Sequence, residues 1–212
     1  MTAGVGRIIE TEACVAEGAQ WLAEVEPRFA HVLALDGPPP LRRRADGFAA
    51  LMGAIVSQQV SVAAAAAIWG RLDAAGLTDP VAVAAAPEGA LRAAGLSRQK
   101  IRYVRALADA GIDYCALRHA PDAEVVATLV AVPGIGRWTA EIYAMFSLGR
   151  ADVFAPADLA LQESARSLFA LPDRPREAAL RQMAEAWSPW RAVAARMLWA
   201  YYRLDRGREG VS

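Results

Sequence analysis

Residues 129–140 read Leu-Val-Ala-Val-Pro-Gly-Ile-Gly-Arg-Trp-Thr-Ala, and this stretch decides the fold. An apolar helical run ends at the proline, a Gly-containing turn follows, and a second helix begins at once. Gly134 and Gly136 have no Cβ, so the turn can adopt positive φ and approach a ligand closely. The amides of Ile135, Gly136 and Arg137 are expected to point outward at a helix N-terminus, which suits a phosphate. The pattern predicts a helix-hairpin-helix, although an ordinary interhelical turn has the same short signature.

The composition limits the class of protein. The chain has 212 residues, and 55% of them are hydrophobic, so a sizeable core is available for one large domain or two small ones. No apolar stretch approaches the ~20 residues that span a membrane, and the N-terminus lacks a secretory leader. Cys14 and Cys115 provide no metal-ligand spacing and cannot hold an iron–sulfur cluster, which needs four thiolates. We therefore expect a reduced, cytoplasmic protein without membrane contact.

The charge is balanced overall but clustered locally. There are 23 basic and 23 acidic residues, so the net charge neither favours nor excludes a nucleic-acid partner. One basic run occupies residues 42–44, and a second lies within residues 98–105. Either run can contact a polyanion or form a solvated face. Lys100, in the second run, is the only lysine of the chain.

Nearly all of the chain reads as helix. Ala, Leu, Arg and Glu dominate, and apolar residues recur at three- and four-residue spacing. Breaks that contain Pro or Gly, including one at Pro80, separate the helical segments, and Ser97 and Ser188 look like helix starts. The expected fold class is all-α, with about ten helices over residues 11–25, 46–56, 60–75, 88–95, 98–110, 122–131, 136–148, 158–170, 175–186 and 189–204.

A carboxylate follows the hairpin within the stretch Val-Phe-Ala-Pro-Ala-Asp-Leu-Ala-Leu-Gln at residues 153–162. Pro156 forces a break, so Asp158 falls at the start of the next helix. The commonest use of an aspartate there is as an N-cap. The combination of hairpin, short loop and helix-opening aspartate points beyond that use, because it occurs with further motifs in a fixed order.

Five separated motifs together resemble the helix-hairpin-helix DNA glycosylase superfamily, and within it the AlkA-type alkylpurine glycosylases. The resemblance runs from about Gly47 to Arg203. Besides the hairpin and the aspartate stretch, it rests on Ile-Val-Ser-Gln-Gln-Val-Ser-Val at 55–62, Gly-Leu-Ser-Arg-Gln-Lys-Ile-Arg at 95–102, and Trp-Ser-Pro-Trp-Arg followed by Trp199 at 187–199.

The resemblance implies a single helical glycosylase unit over residues 1–212. Its central lobe covers about 46–135, and its second lobe combines about 1–45 with about 136–212. A cleft is expected between the two lobes. The N-terminal β domain of the longer family members is not expected.

The activity implied by the resemblance is hydrolysis of the N-glycosidic bond of alkylated purines, such as 3-methyladenine and 7-methylguanine, in base excision repair. The damaged base is flipped out of double-stranded DNA. Ionised Asp158 stabilises the oxocarbenium-like sugar and orients or deprotonates the attacking water. A base alkylated at N3 or N7 already carries positive charge, so it leaves without the second carboxylate that ordinary glycosidases use. The protein is expected to act as a monomer.

β-Lyase activity is not expected. Lyase members of the superfamily place a lysine just after the hairpin, where this chain has Trp138. An amine nucleophile must be uncharged in a desolvated pocket. Lys100 lies in an Arg-rich helix and is expected to face phosphate or water.

Aromatic side chains are expected to bind the flipped base, because a cationic purine is attracted to the electron-rich face of tryptophan. By the resemblance, Trp199 is the main stacking residue and Trp138 a second wall. The residues alone leave open that Trp199 is a core aromatic. Tyr143 is given no such role, because the pocket tyrosine of the family aligns with Ile142.

The remaining site residues also follow from the resemblance. Gln59 is the wedge that fills the gap left by the flipped base. A monovalent cation, Na+ or K+, is expected at the backbone carbonyls of Val130, Val132 and Ile135, with no other cofactor. The expected DNA contacts are Gln58, Gln59, Ser61, Gly134, Ile135, Gly136, Arg137 and Thr139.

Two alternatives remain open at this point. A non-catalytic helix-hairpin-helix DNA-binding module needs neither Asp158 nor Trp199. The same fold can instead act on uracil, hypoxanthine or an oxidised base, because pocket shape decides the substrate. A helical interaction scaffold explains less, since it leaves the Gly-rich turn without a purpose.

Overall fold

The computed structural model describes residues 5–209, and within that range the regular elements are helices. An isolated antiparallel bridge between Ile8 and Arg150 is the one extended pairing there. A short 3₁₀-helix covers Ala184–Trp187. The α-helices are α1 (Glu12–Val25), α2 (Pro27–Asp36), α3 (Phe48–Ser57), α4 (Val62–Ala74), α5 (Pro80–Ala85), α6 (Glu88–Ala93), α7 (Arg98–Asp109), α8 (Tyr114–Leu117), α9 (Asp122–Val130), α10 (Arg137–Phe146), α11 (Leu159–Leu168), α12 (Glu177–Met183) and α13 (Arg191–Glu209).

The all-α prediction is confirmed, but three helices were missed. α2 and α5 each begin with a proline, Pro27 and Pro80. Proline at the first helical position fits the helix, because its missing N–H would have no partner there. The sequence interpretation treated Pro80 as a break only. α8 has a single turn, which Asp113 caps by accepting hydrogen bonds from two backbone N–H groups.

The helix starts follow local capping chemistry. Ser97 caps α7 as predicted, with its hydroxyl accepting the Lys100 N–H at 3.3 Å. Ser188 was wrongly predicted to start the last helix. α13 begins at Arg191, and the Ser188 hydroxyl instead donates to Asp152 at 2.8 Å.

The chain forms two compact units. Unit 1 comprises Arg44–Tyr143, and its core includes apolar side chains of α3, α7 and α9. α7 packs against both α3 and α5 in this unit. Unit 1 runs past the hairpin to Tyr143 in α10, whereas the sequence placed the division at about residue 135.

Unit 2 comprises Val5–Arg43 together with the described residues from Ala144 onward. α13 is its central helix, since it packs against α1, α2 and α11. Residues 1–4 and 210–212 of the predicted lobes lie outside the described residues, and the predicted cleft stays a prediction. No helix within residues 5–209 is both long and apolar enough to cross a membrane.

Candidate functional site

Asp158 caps α11 and also bonds to a second helix of unit 2. Its Oδ1 accepts the backbone N–H groups of Ala160 at 3.0 Å and Leu161 at 3.1 Å. The same oxygen accepts the indole Nε1–H of Trp199, on α13, at 3.2 Å. The cap predicted as the ordinary use of this aspartate is therefore present, together with a partner 41 residues away in the sequence. These donors hold the carboxylate in one orientation at a partly exposed position.

Trp199 is half-buried and lies in an aromatic stack within unit 2. Its ring centroid is 5.7 Å from that of Phe146, with 32° between the ring planes. The guanidinium of Arg196 lies over the Phe146 ring, with its carbon atom 4.6 Å from the ring centroid. Trp199 is thus neither a buried core side chain nor an isolated surface ring. The sequence interpretation missed Arg196, which carries no motif.

Polar side chains in the interior of unit 2 fix the elements that carry this pair. The buried amide of Gln162 donates to the carbonyl of Pro156 at 2.8 Å, which closes the loop before α11. The buried hydroxyl of Ser164 donates to the Leu198 carbonyl at 2.7 Å and ties α11 to α13. Both bonds satisfy backbone acceptors that would otherwise be costly to bury. The positions of Asp158 and Trp199 are therefore set by buried hydrogen bonds as well as by helix packing.

The predicted hairpin forms in unit 1 between α9 and α10. Gly134 has φ of +93°, and a Cβ there would lie 2.4 Å from Cγ of Tyr103. Glycine is therefore required both for the backbone conformation and for the packing of the Tyr103 ring. The side-chain amide of Gln58 donates to the Gly134 carbonyl at 2.9 Å. Gln58, predicted as a DNA contact, thus anchors the hairpin to the end of α3.

Gly136 differs from Gly134 and corrects part of the sequence interpretation. It does not have positive φ, and a Cβ built on it would have no atom within 4 Å. Its side is therefore open to an approaching ligand. The Ile135 amide does not point outward as predicted, because it donates to the Val132 carbonyl at 3.0 Å. The backbone N–H groups of Gly136 and Arg137 have no acceptor among residues 5–209.

The other predicted hairpin contacts differ in exposure. Arg137 is exposed, and its Nε donates to the buried carboxylate of Glu141 at 3.0 Å. The side chains of Ile135 and Thr139, both predicted as DNA contacts, are buried. A contact of these two residues with DNA would have to use the backbone.

Gln59 and Ser61 lie in the turn between α3 and α4. Gln59 is exposed and has φ of +56°, in the left-handed region that non-glycine residues seldom adopt. Ser61 caps α4, with its hydroxyl accepting the Ala64 N–H at 3.2 Å. The wedge position is thus presented to solvent by a constrained backbone, which the sequence alone did not indicate.

Lys100 has a structural partner. Its Nζ donates to the Val56 carbonyl at 2.6 Å, at the C-terminal end of α3. A cation suits that end of a helix, where carbonyl groups lack intrahelical partners. Burial lowers the pKa of Lys100 from its ordinary value. This bond uses one of the three donors of the ammonium group, and the expectation that the amine faces phosphate or water stays a prediction.

Some arginines of the two basic runs donate hydrogen bonds to backbone carbonyls of their own unit. Arg105 donates to the Ala86 carbonyl at 2.9 Å, and Arg43 donates to the Ile9 carbonyl at 3.3 Å. Arg42, Arg98 and Arg102 are exposed. DNA contact by these runs stays a prediction.

The remaining predicted residues are placed as follows. Trp138 is 44% exposed on α10 in unit 1. Tyr143 is buried, and its hydroxyl oxygen accepts the Gly47 N–H at 2.8 Å, so leaving it out of the base pocket agrees with its structural use. The Val132 carbonyl of the predicted cation site already accepts one N–H, as described above, and retains a second lone pair. A cation at Val130, Val132 and Ile135 stays a prediction.

A family model described as HhH-GPD superfamily base excision DNA repair protein matches residues 52–189. The chain is 31% identical over 163 residues to DNA-3-methyladenine glycosylase 1 of Schizosaccharomyces pombe, a match that covers 73% of this chain and 72% of the yeast protein. Another relative, from Bacillus subtilis, is longer, and the chain spans 39% of its length.

Two solved structures share the fold. The crystal structure of a DNA-3-methyladenine glycosidase from Bacillus halodurans matches with a TM-score of 0.81 and 31% identity, covering 93% of this chain and 92% of that one. The Schizosaccharomyces pombe 3-methyladenine DNA glycosylase in complex with abasic DNA matches with a TM-score of 0.73 and 28% identity, covering 86% of this chain and 95% of the yeast chain.

Proposed function

The chain belongs to the HhH-GPD superfamily of base excision DNA repair proteins, and we propose that it is a monofunctional DNA glycosylase for alkylated purines. The observation that carries the proposal is the pairing of Asp158 with Trp199 through a 3.2 Å hydrogen bond. A carboxylate and an aromatic face, held together, provide what hydrolysis of a cationic base requires. A DNA-binding module without catalysis has no use for this pair.

In the proposed mechanism, Asp158 acts on the sugar. Breaking the N-glycosidic bond leaves an oxocarbenium-like sugar, which an ionised carboxylate stabilises electrostatically. The carboxylate also orients the attacking water and accepts its proton. The hydrogen bonds at Oδ1 hold the carboxylate in position for both roles.

The base needs no acid from the protein. A purine alkylated at N3 or N7 is a cation, and its departure as a neutral base leaves that positive charge on the sugar. Trp199 offers the base a face for stacking, worth roughly 0.5–2 kcal/mol for a desolvated cation. Trp138 is the proposed second wall. Uracil or an undamaged purine leaves more slowly, since it lacks the positive charge.

DNA is held through its backbone in this proposal. The free N–H groups of Gly136 and Arg137 bind a phosphate at the N-terminal end of α10. Gln59 enters the space that the flipped base vacates. Such contacts position the duplex without reading its sequence. The backbone carbonyls of Val130, Val132 and Ile135 would hold a monovalent cation, which would supply positive charge for binding of the DNA backbone.

No covalent amine intermediate forms in the proposed reaction. The amine of Lys100 donates a 2.6 Å hydrogen bond to the Val56 carbonyl at the end of α3. The product is therefore an abasic site in an intact strand. We place the enzyme in the cytoplasm, with access to DNA, and propose that it works as a monomer.

The decisive experiment is an excision assay on duplexes with single defined lesions. The panel contains 7-methylguanine, 3-methyladenine, hypoxanthine and uracil, and each sample is divided for treatment with or without alkali. We expect strand breaks at the cationic lesions after alkali and intact strands without it. Breaks without alkali would contradict monofunctional action. Equal rates at uracil and 7-methylguanine would overturn the alkylpurine assignment, and no excision of any lesion would favour the binding module.

A further inference from the structure

Arg196 places an uncompensated positive charge in the interior of unit 2. The side chain is 3% exposed. Its two Nη groups donate to the carbonyls of Ala192 at 2.8 Å and Met145 at 3.3 Å. Within residues 5–209 no carboxylate pairs with it, and its buried Nε has no hydrogen-bond partner. A buried charge without a counter-ion is costly and calls for a reason.

The guanidinium remains charged at neutral pH. Burial lowers its pKa to about 10, and repulsion from Arg43 and Arg42 contributes in the same direction. A group with this pKa is protonated through the whole physiological range. The charge is therefore a permanent part of the site's electrostatic field.

This charge lies close to the aromatic side chain proposed to stack on the base. The Arg196 guanidinium carbon is 4.6 Å from the Phe146 centroid, and the Phe146 centroid is 5.7 Å from that of Trp199. The guanidinium is therefore within about 10 Å of the Trp199 ring, a distance at which charges in a protein of effective dielectric constant ~20 still interact appreciably. Trp199 in turn donates to Asp158 at 3.2 Å. One run of contacts thus joins a cation to the stacking residue and the carboxylate.

We propose that Arg196 is a specificity-determining residue, which reduces the advantage of cationic bases over neutral ones in the site beside Trp199. The proposal rests on the glycosylase function proposed above. The ligands that Arg196 would distinguish are purine bases of two classes, N-alkylated cations and neutral lesions such as hypoxanthine.

The sign of the effect follows from charge conservation. With a cationic lesion, the base and sugar together keep one positive charge through bond breaking. With a neutral lesion, base and sugar remain neutral overall. The Arg196 charge therefore raises the transition-state energy of the first class and hardly affects the second. Its effect on Asp158 is common to both classes and cancels in their ratio.

The test compares kcat/KM for duplexes that carry 7-methylguanine or hypoxanthine. Arg196→Met and Arg196→Gln remove the charge, and the glutamine keeps N–H donors for the two carbonyls. We expect the ratio of 7-methylguanine to hypoxanthine excision to rise about three- to tenfold in both variants. Partial unfolding lowers both rates by one factor, so it leaves the ratio unchanged.

Two control variants separate charge from packing. Arg196→Lys keeps the positive charge. Its ratio of 7-methylguanine to hypoxanthine excision should therefore stay within about twofold of wild type, which is less than the change expected when the buried charge is removed. Arg28→Met removes a half-exposed guanidinium that lies 5.0 Å from the Phe169 ring and pairs with Glu26 at 3.1 Å. Because that charge is already neutralised, its removal should leave the ratio unchanged.

A second measurement needs no catalysis. Each variant is titrated with a duplex that carries a neutral tetrahydrofuran abasic analogue and with one that carries its cationic pyrrolidine counterpart. Arg196→Met and Arg196→Gln should prefer the cationic analogue more strongly than wild type does. An unchanged preference in both assays, or an equal shift in Arg196→Lys, would overturn the proposal. Loss of excision at every lesion in wild type would refute the glycosylase function instead.

Discussion

Asp158 has a structural role and a proposed chemical role, and one substitution separates them. Asp158→Asn keeps an oxygen for the N–H groups of Ala160 and Leu161 but removes the negative charge. We expect excision of 7-methylguanine to fall by at least ~100-fold, because the carboxylate stabilises charge that develops in the transition state. Duplex binding should persist. Single-turnover excision and a binding titration provide the two measurements.

The matched control for this substitution is Asp79→Asn. Asp79 caps α5 and accepts the N–H groups of Val81 at 2.9 Å and Ala82 at 3.3 Å, much as Asp158 does for α11. Its loss of charge should leave excision near the wild-type rate. Near-normal excision by Asp158→Asn would show that its carboxylate is a cap and nothing more.

Trp199 can be tested against a tryptophan of the same unit. Trp199→Ala should slow release of 3-methyladenine and 7-methylguanine more than its effect on folding explains, since it removes both the stacking face and the donor to Asp158. Excision rates are compared with thermal melting of the same protein. Strong destabilisation with full activity at low temperature would instead assign Trp199 to the core.

Trp187 is the contrasting case. It is 2% exposed and packs against Phe29, Phe154 and Phe169 at centroid distances of 5.3, 5.6 and 5.8 Å. Trp187→Ala should cost about 3–5 kcal/mol of stability through the cavity it leaves. The fraction that remains folded should excise lesions at the wild-type rate.

Two tyrosines, Tyr143 buried and Tyr114 partly buried, predict alkaline instability. Burial raises the pKa of Tyr143 to about 12, and burial with the nearby Tyr143 raises that of Tyr114 to about 12. The unfolded chain ionises these groups near pH 10, whereas the folded chain keeps them neutral. The contribution of the neutral tyrosines to the free energy of unfolding is therefore complete below pH 10 and is lost as the pH rises toward 12.

Tyrosinate absorbance and denaturant midpoints test this expectation. Of the five tyrosines in the chain, two should ionise only at the higher pH or on unfolding. Tyr143→Phe should make the alkaline decline in stability shallower, although it also removes the acceptor of the Gly47 N–H. Ionisation of all tyrosines near pH 10 with the fold intact would contradict the assignment.

At the scale of elements, the hairpin holds two glycines with different roles. Gly136→Val should weaken binding to every duplex alike, because Gly136 faces open space beside free N–H groups and phosphate contacts carry no sequence information. Gly134→Ala should instead destabilise the fold, since its φ is +93° and a Cβ would meet the Tyr103 ring. Binding titrations with lesion-free duplexes and melting curves distinguish the two.

A defined pattern of results would contradict this division of roles. If Gly136→Val affected one lesion type while general affinity held, the hairpin would be part of the base pocket and not a grip on the backbone. If Gly134→Ala had the melting temperature of wild type, a glycine would not be required at this position.

Side chains near the ends of α3, α7 and α9 bond to backbone carbonyls in ways that the sequence interpretation did not predict. Lys100 reaches the Val56 carbonyl, and Gln58 reaches the Gly134 carbonyl. Both bonds satisfy backbone acceptors where regular structure ends. No short-range pattern marks such partners, because the residues they join are 44 and 76 positions apart.

At the scale of the whole molecule, the family expected from five ordered motifs is confirmed by the match over residues 52–189. The match covers both the hairpin in unit 1 and Asp158 in unit 2. A chain with no net charge can still bind DNA, because the proposed contacts are backbone amides and a few local cations. The function therefore follows from the placement of particular groups and not from bulk charge.

The sequence by itself determined what depends on neighbours within about one helical turn. Helical periodicity, the caps at Ser97 and Asp158 and the hairpin with its glycines could be read directly, because these interactions span four residues or fewer. The starts at Pro27 and Pro80 were also readable from their prolines, although Pro80 was taken only as a break.

Only the tertiary structure decided which distant groups meet. Three hydrogen bonds join residues far apart in the chain. They run from Trp199 to Asp158, from Lys100 to the Val56 carbonyl, and from the buried Arg196 to the Met145 carbonyl. Burial and long-range hydrogen bonds depend on how helices pack, and packing is a property of the whole fold. A side chain's chemistry is local, whereas its environment, which sets its role, is not.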